Sequence, residues 1–121
     1  MFKYFELSEF ECSETHTNEI SIHFVYDLDT LRGMCGFPFI INPGYRDPSH
    51  SAEVDKPNGP GTHSQGIAAD IAYSDGAQLY TILRNAFEMD FTGIGVADSF
   101  VHLDKRTTIP VAWSYNSRVV G

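Results

Sequence analysis

Gly61-Thr-His-Ser-Gln-Gly-Ile-Ala-Ala-Asp70 is the stretch on which the reading of this chain turns. It leaves a loop rich in Pro and Gly and enters an apolar segment, Ile67–Tyr73, that reads as a strand carrying one acid, Asp70. A carboxylate in apolar surroundings is costly unless it is paired, hydrogen-bonded or bound to a metal. His63 precedes Asp70 by seven residues, and on a continuous strand that odd separation points the two side chains to opposite faces. They converge only if the chain turns at Gly66.

Downstream, Phe100-Val-His-Leu-Asp104 repeats the pattern. Strand alternation sets Val101 and Leu103 towards a core and puts His102 and Asp104 together on the other face. If His63, Asp70 and His102 meet, they form two imidazoles and one carboxylate, the ligand type of catalytic zinc with a fourth position open to water. Such a set leaves the site at about +1, so a bound water is acidified towards a pKa of about 7. Spacing alone leaves the bland alternative open, histidines satisfied at the surface or in the core with no metal.

Upstream lies PGYRDPSHSAEVDKPNGPGTHSQG, residues 43–66, with four Pro and four Gly in 24 residues. That composition forbids regular structure, and loops of this length in small domains are usually functional. It carries Tyr45, Arg46 and His50, of which His50 reads as a partner that stabilises the loop. Before the loop, Ile20, Phe24, Leu28, Leu31 and Cys35 share one face of a helix over 20–35, with Asn18 as its cap and Gly36 as its stop. Phe37–Asn42 then reads as a strand.

After Tyr73, Ser74 or Asp75 caps a second helix whose Leu79, Ile82, Leu83, Ala86 and Phe87 face the core. Short strands follow around 93–96, 100–104 and 109–115, with Trp113 and Tyr115 expected in the core. The order gives an α+β fold: a small, mostly antiparallel sheet flanked by two helices, in a single domain over residues 1–121.

Composition narrows the partners. The 121 residues hold 16 acids against 8 bases, a net charge of −8, which counts against nucleic acid or an anionic membrane as partner. Residues 1–30 hold seven acids and one base, so −6 of that charge belongs to a solvated first segment rather than to the histidine-bearing stretch. No apolar run approaches the ~20 residues of a membrane span, and Glu6, Glu9 and Glu11 stand where a signal peptide needs its apolar core. Cys12 and Cys35 are too few for a disulfide framework and read as reduced side chains. The expectation is a monomer made in the cytoplasm.

The run Gly61–Asp70 resembles S-x-H-x-x-G-x-A-x-D, the zinc signature of the D-alanyl-D-alanine carboxypeptidase family, which includes phage endolysins and shares its fold with the hedgehog signalling domain. Gly44-Tyr-Arg46-Asp-Pro-Ser-His50 is similar to the family's G-Y-R-x-x-x-H element. Gly93-Ile-Gly-Val96, followed by Phe100-Val-His102-Leu-Asp104-Lys-Arg106, looks like the segment with the last ligand. The three motifs stand in family order and cover residues about 37–106. The resemblance implies zinc on His63, Asp70 and His102, with Arg46 holding a substrate carboxylate or carbonyl. It implies hydrolysis of peptidoglycan stem or cross-link peptides at bonds involving D-amino acids, by attack of zinc-bound water.

Two departures matter. Gly61 replaces the signature Ser, and Ser99 occupies the position three before the last His where many relatives carry an acidic base. Asp104 and Asp98 are the candidates to move the proton instead, and Asp104 is equally suited to orient His102. The vacancy at Ser99 also keeps open a non-catalytic metal-binding module of the same fold, a wall-binding or virion component. Without a signal peptide, a hydrolase of this kind reaches the wall after lysis or by virion delivery.

Overall fold

Helix α1 runs over Ile22–Cys35 in the computed structural model, which describes residues 2–115. Phe24, Val25, Leu28 and Leu31 form its buried face. Its start lies two residues later than the apolar spacing predicts. Ser21, not Asn18, is the cap, its Oγ accepting the Phe24 N–H at 3.3 Å. Asn18 is otherwise engaged: its amide donates to the Leu7 carbonyl at 2.7 Å and its oxygen accepts from Ile20 N–H. Gly36 ends the helix with φ at 81°, a conformation suited to glycine, and its N–H returns to the Arg32 carbonyl.

Residues 37–42 do not form the expected strand. They touch the sheet at a single bridge, Ile41 to Ile71, and the Asp70 N–H donates to the Pro43 carbonyl at 2.9 Å. Pro43 has no N–H to continue a ladder, so pairing stops where the long loop begins.

Strand β1 covers Ala68–Ala72, helix α2 Gly76–Glu88, and strands β2, β3 and β4 cover Gly93–Val96, Phe100–Asp104 and Val111–Ser114. The sheet order is β1-β3-β2-β4. β3 pairs antiparallel with both β1 and β2, whereas β4 runs parallel to β2, so the sheet is mixed rather than wholly antiparallel. Asp75 caps α2 through the Gln78 N–H at 2.8 Å, and Ile82 and Ala86 are buried. Phe87 departs from its expected inward position and is 60% exposed, because Asn85 and Ala86 fill the inner side of the last turn.

Val101 and Leu103 of β3 enter a core cluster with Leu28, Leu31, Ile71 and Ile82. Phe5, Phe10 and Cys12 join it, so the acidic N-terminal segment is solvated at its carboxylates but anchored by its apolar side chains. Cys12 and Cys35 are both free thiols. Among the described residues no helix is long and apolar enough to cross a membrane.

Gly66 makes the turn that the His63–Asp70 spacing demands. Its φ is +75°, its carbonyl accepts the Ser21 N–H at 2.8 Å, and a Cβ there would strike the Glu19 carbonyl oxygen. Gly66→Ala is therefore expected to cost about 2 kcal/mol, from left-handed strain with an added clash. Urea denaturation midpoints of the two proteins measure it.

Candidate metal centre

β1 and β3 bring the centre together. In their antiparallel register Asp70 lies directly opposite His102, and Ala68 opposite Asp104. The Gly66 turn swings His63 back over β1, leaving His63 Nε2 3.3 Å and His102 Nδ1 3.1 Å from the same oxygen of Asp70. All three residues are buried, and one ligand atom from each lies within 4.8 Å of the others.

Each imidazole has its far nitrogen occupied. His63 Nδ1–H donates to the Gly44 carbonyl at 2.7 Å, and Nε2 faces Asp70. His102 Nε2–H donates to Asp104 at 2.7 Å, leaving Nδ1 towards Asp70. Partners on the far nitrogen are how ligating histidines are usually held. Two oriented imidazoles and a carboxylate fit zinc, and the residues present can hold it.

Charge follows the same geometry. Burial pushes the Asp70 carboxyl up, but hydrogen bonds and charge from His102 and His63 outweigh it and hold the group below its ordinary value. For His102, burial favours the neutral ring, yet Asp104 and Asp70 together draw a proton onto it and raise its pKa. Two carboxylates crowd one imidazole at the spot where a metal would bring positive charge.

Asp104 is fully buried and fully engaged. Besides His102, it accepts Arg106 Nε–H at 2.9 Å, Nη2–H at 2.6 Å and the Arg106 backbone N–H at 3.0 Å. Burial raises its pKa, but His102 and Arg106 drive it far below the usual carboxylate range. Asp98 lies elsewhere: it is exposed, and it lines a separate cavity with Ala97, Ser99, Phe100 and Tyr115.

His63 and His102 open onto a cavity of about 490 Å³. Arg46, Lys56 and Arg106 share its wall with Trp113 and Tyr115, and no carboxylate lines it among the described residues. Trp113 and Tyr115 are thus cavity wall, not core. The Trp113 ring lies 5.2 Å from His102 and under the Arg106 guanidinium. β4 puts it there by running parallel to β2. His50 accepts the Ala52 N–H on Nδ1 and faces Glu14 with Nε2 at 3.4 Å, a tie within the loop and to the N-terminal segment.

Three contributors escaped the sequence reading. Gly93 and Gly95 of β2 leave room on the centre's face: a Cβ at Gly93 would strike the Asp104 carboxylate, and one at Gly95 would lie 2.5 Å from the Trp113 ring. Their signal was the Gly-x-Gly inside a strand, which marks close approach by a neighbour. The third is Glu53, a carboxylate 1% exposed inside the long loop, with no sequence signal beyond being an acid there.

A mixed four-stranded sheet thus carries on one face a buried His–Asp–His set that could hold a metal ion. The model of the family Peptidase M15 matches residues 3–104, and the chain belongs to that family of zinc-dependent D-Ala-D-Ala carboxypeptidases and their relatives. No curated protein matches the chain.

Proposed function

We propose that this chain is a zinc peptidase that hydrolyses peptidoglycan stem or cross-link peptides at bonds involving D-amino acids. The observation that carries the reading is the buried His63–Asp70–His102 donor set, with both imidazoles oriented, at a cavity walled by cations in a Peptidase M15 chain. Zinc there would supply Lewis-acid polarisation of the scissile carbonyl and an acidified water.

The protein's own groups orient the donor set and hold the substrate. His63 offers Nε2 and His102 offers Nδ1, held by the Gly44 carbonyl and by Asp104. Asp104, with both oxygens committed, acts through His102 as a positioning residue. Arg46 holds a substrate carboxylate or carbonyl through the paired N–H groups of its planar guanidinium. Trp113 and Tyr115 cover one side of the cavity and exclude water from the bond being cut. Delivery to the wall by lysis or inside a virus particle belongs to the same proposal.

A second reading, a metal-binding wall or virion module without catalysis, is favoured by one observation: Ser99 at the acidic position and Asp98 facing a different cavity. One experiment separates the two. Purified murein is incubated with the zinc-loaded protein, and released peptides are analysed by mass, with and without chelator. The expected result is peptide release that stops with chelator and returns with zinc. Chelation should also lower the melting temperature by roughly 10 °C, as loss of a ligand held at about 100 times its Kd predicts. Stoichiometric zinc without any released peptide replaces the peptidase with the module. No zinc and an unmoved melting temperature overturn both.

A further inference from the structure

Glu53 takes no part in the zinc reading, yet it is the most deeply buried group of the long loop. Its side chain is 0% exposed. One oxygen accepts the Gly61 N–H at 2.9 Å; the other receives Lys56 Nζ at 3.1 Å and lies 3.2 Å from Arg46 Nη1. The carboxylate therefore joins three points of the chain: the arginine at the start of the loop, the lysine in its middle, and the first residue of the zinc signature. Gly61 is part of the arrangement, since a Cβ there would sit 3.1 Å from Lys56 Nζ.

The charges decide what the arrangement does. Glu53 with Arg46 alone would be a neutral pair, its guanidinium compensated within the protein. Lys56 adds a second positive charge to the same carboxylate and leaves one net positive charge on the cavity wall. Arg46 Nε is buried and makes no protein hydrogen bond among the described residues, while the Arg46 side chain, 16% exposed, lines the cavity. A carboxylate fully exposed to water would gain little from either cation; this one is dry, and burial strengthens both interactions.

We propose that Glu53 is a positioning residue that fixes the Arg46 guanidinium towards substrate, and that Lys56, by neutralising Glu53, leaves Arg46 free to bind an anionic group of the peptide. The inference rests on the peptidase reading for its substrate.

Three variants of the zinc-loaded protein test it: Glu53→Gln, Lys56→Ala and Lys56→Arg. Kinetics on soluble muropeptides, zinc content and the Arg46 Nε–H signal in nitrogen-edited NMR are measured, the signal assigned by its loss in Arg46→Lys. Glu53→Gln makes the cavity more positive, so charge alone predicts a lower KM, whereas loss of positioning predicts a higher one. The expected result for Glu53→Gln is a KM raised about tenfold, the size of one charged hydrogen bond, with kcat within about threefold. Zinc should stay stoichiometric and the Arg46 signal should move. Lys56→Ala should raise KM several-fold and Lys56→Arg should restore most of it.

An unchanged or lower KM in Glu53→Gln, or an Arg46 signal that stays put, overturns the proposal. So does joint loss of zinc and kcat, which marks a purely structural carboxylate. If Glu53→Gln does not fold, the two lysine variants decide by the same readouts, since Lys56 is partly exposed and its loss leaves Glu53 paired with Arg46. If the wild-type protein cleaves no muropeptide, the peptidase reading has failed, and the Arg46 signal in the variants still decides the positioning.

Discussion

His63→Ala is expected to bind no stoichiometric zinc and to release no peptide from murein. The substitution removes one of the three proposed ligands, and catalytic zinc sites are built on three protein ligands. Partners of a ligand that never touch the metal are already worth about 10–100-fold in affinity, so losing the ligand itself costs more than about a hundredfold. The fold should survive. His63 sits at the edge of the loop, and the structural loss is the hydrogen bond to the Gly44 carbonyl, about 1–3 kcal/mol for an acceptor left without its donor, together with the contact to Asp70. Elemental analysis and melting curves with and without chelator check this directly. The wild-type curve should shift with chelator and the variant curve should not. A variant that keeps zinc and cleaves murein at the wild-type rate removes His63 from the centre and the peptidase reading with it.

The centre was legible because its geometry is local. His63, Gly66 and Asp70 lie within eight residues, and Gly66 turns the chain with a φ that favours glycine. Alternation along β3 needed only the residue types of Phe100–Asp104, and Val101 and Leu103 point to the core as the pattern requires. The cross-strand register that sets Asp70 against His102 is the one step that sequence could not provide, since it depends on two strands far apart in the chain.

What stayed illegible is non-local in the same sense. Ser21 and Asn18 are both good caps, and the choice between them rests on the Ile20 N–H that occupies the Asn18 oxygen. Trp113 and Tyr115 look like core residues by type, but β4 pairs parallel to β2 and carries them to the cavity beside His102. Phe37–Asn42 is mostly apolar, yet Pro38 lies inside it and Pro43 ends its pairing after one bridge. Glu53 is the clearest case: an acid in a Pro/Gly loop reads as solvated, and only the folded loop closes Arg46, Lys56 and Gly61 around it.

Asp104→Asn should weaken the protein and its metal together. The wild-type carboxylate takes four hydrogen bonds, one from His102 and three from Arg106. An amide has one oxygen, and its NH2 must face either the His102 N–H or the guanidinium, donor against donor. It also leaves Arg106 without its counter-charge. Breaking a buried ion pair from one side typically costs 3–5 kcal/mol; because Arg106 is partly exposed, about 3 kcal/mol is expected, a fall in melting temperature of roughly 10 °C for the metal-free protein.

The pH dependence separates this loss from general damage. The folded pKa of Asp104 is depressed below its ordinary 3.8, so its contribution is present above that value and fades as pH falls through the folded pKa. The gap in stability between wild type and Asp104→Asn should therefore be full at neutral pH and shrink only below about pH 4. On the metal side, one amide oxygen cannot serve both His102 and Arg106, so the Nε2–H that turns Nδ1 towards Asp70 is held less firmly, and zinc affinity should fall about 10–100-fold. Gly93→Ala provides an independent route to the same defect, since its Cβ displaces the Asp104 carboxylate without changing a charge. Competition with a chelator of known affinity measures both variants. If zinc binds Asp104→Asn as tightly as the wild type, Asp104 has no part in orienting His102. The carboxylate would then serve only to seat Arg106 over Trp113.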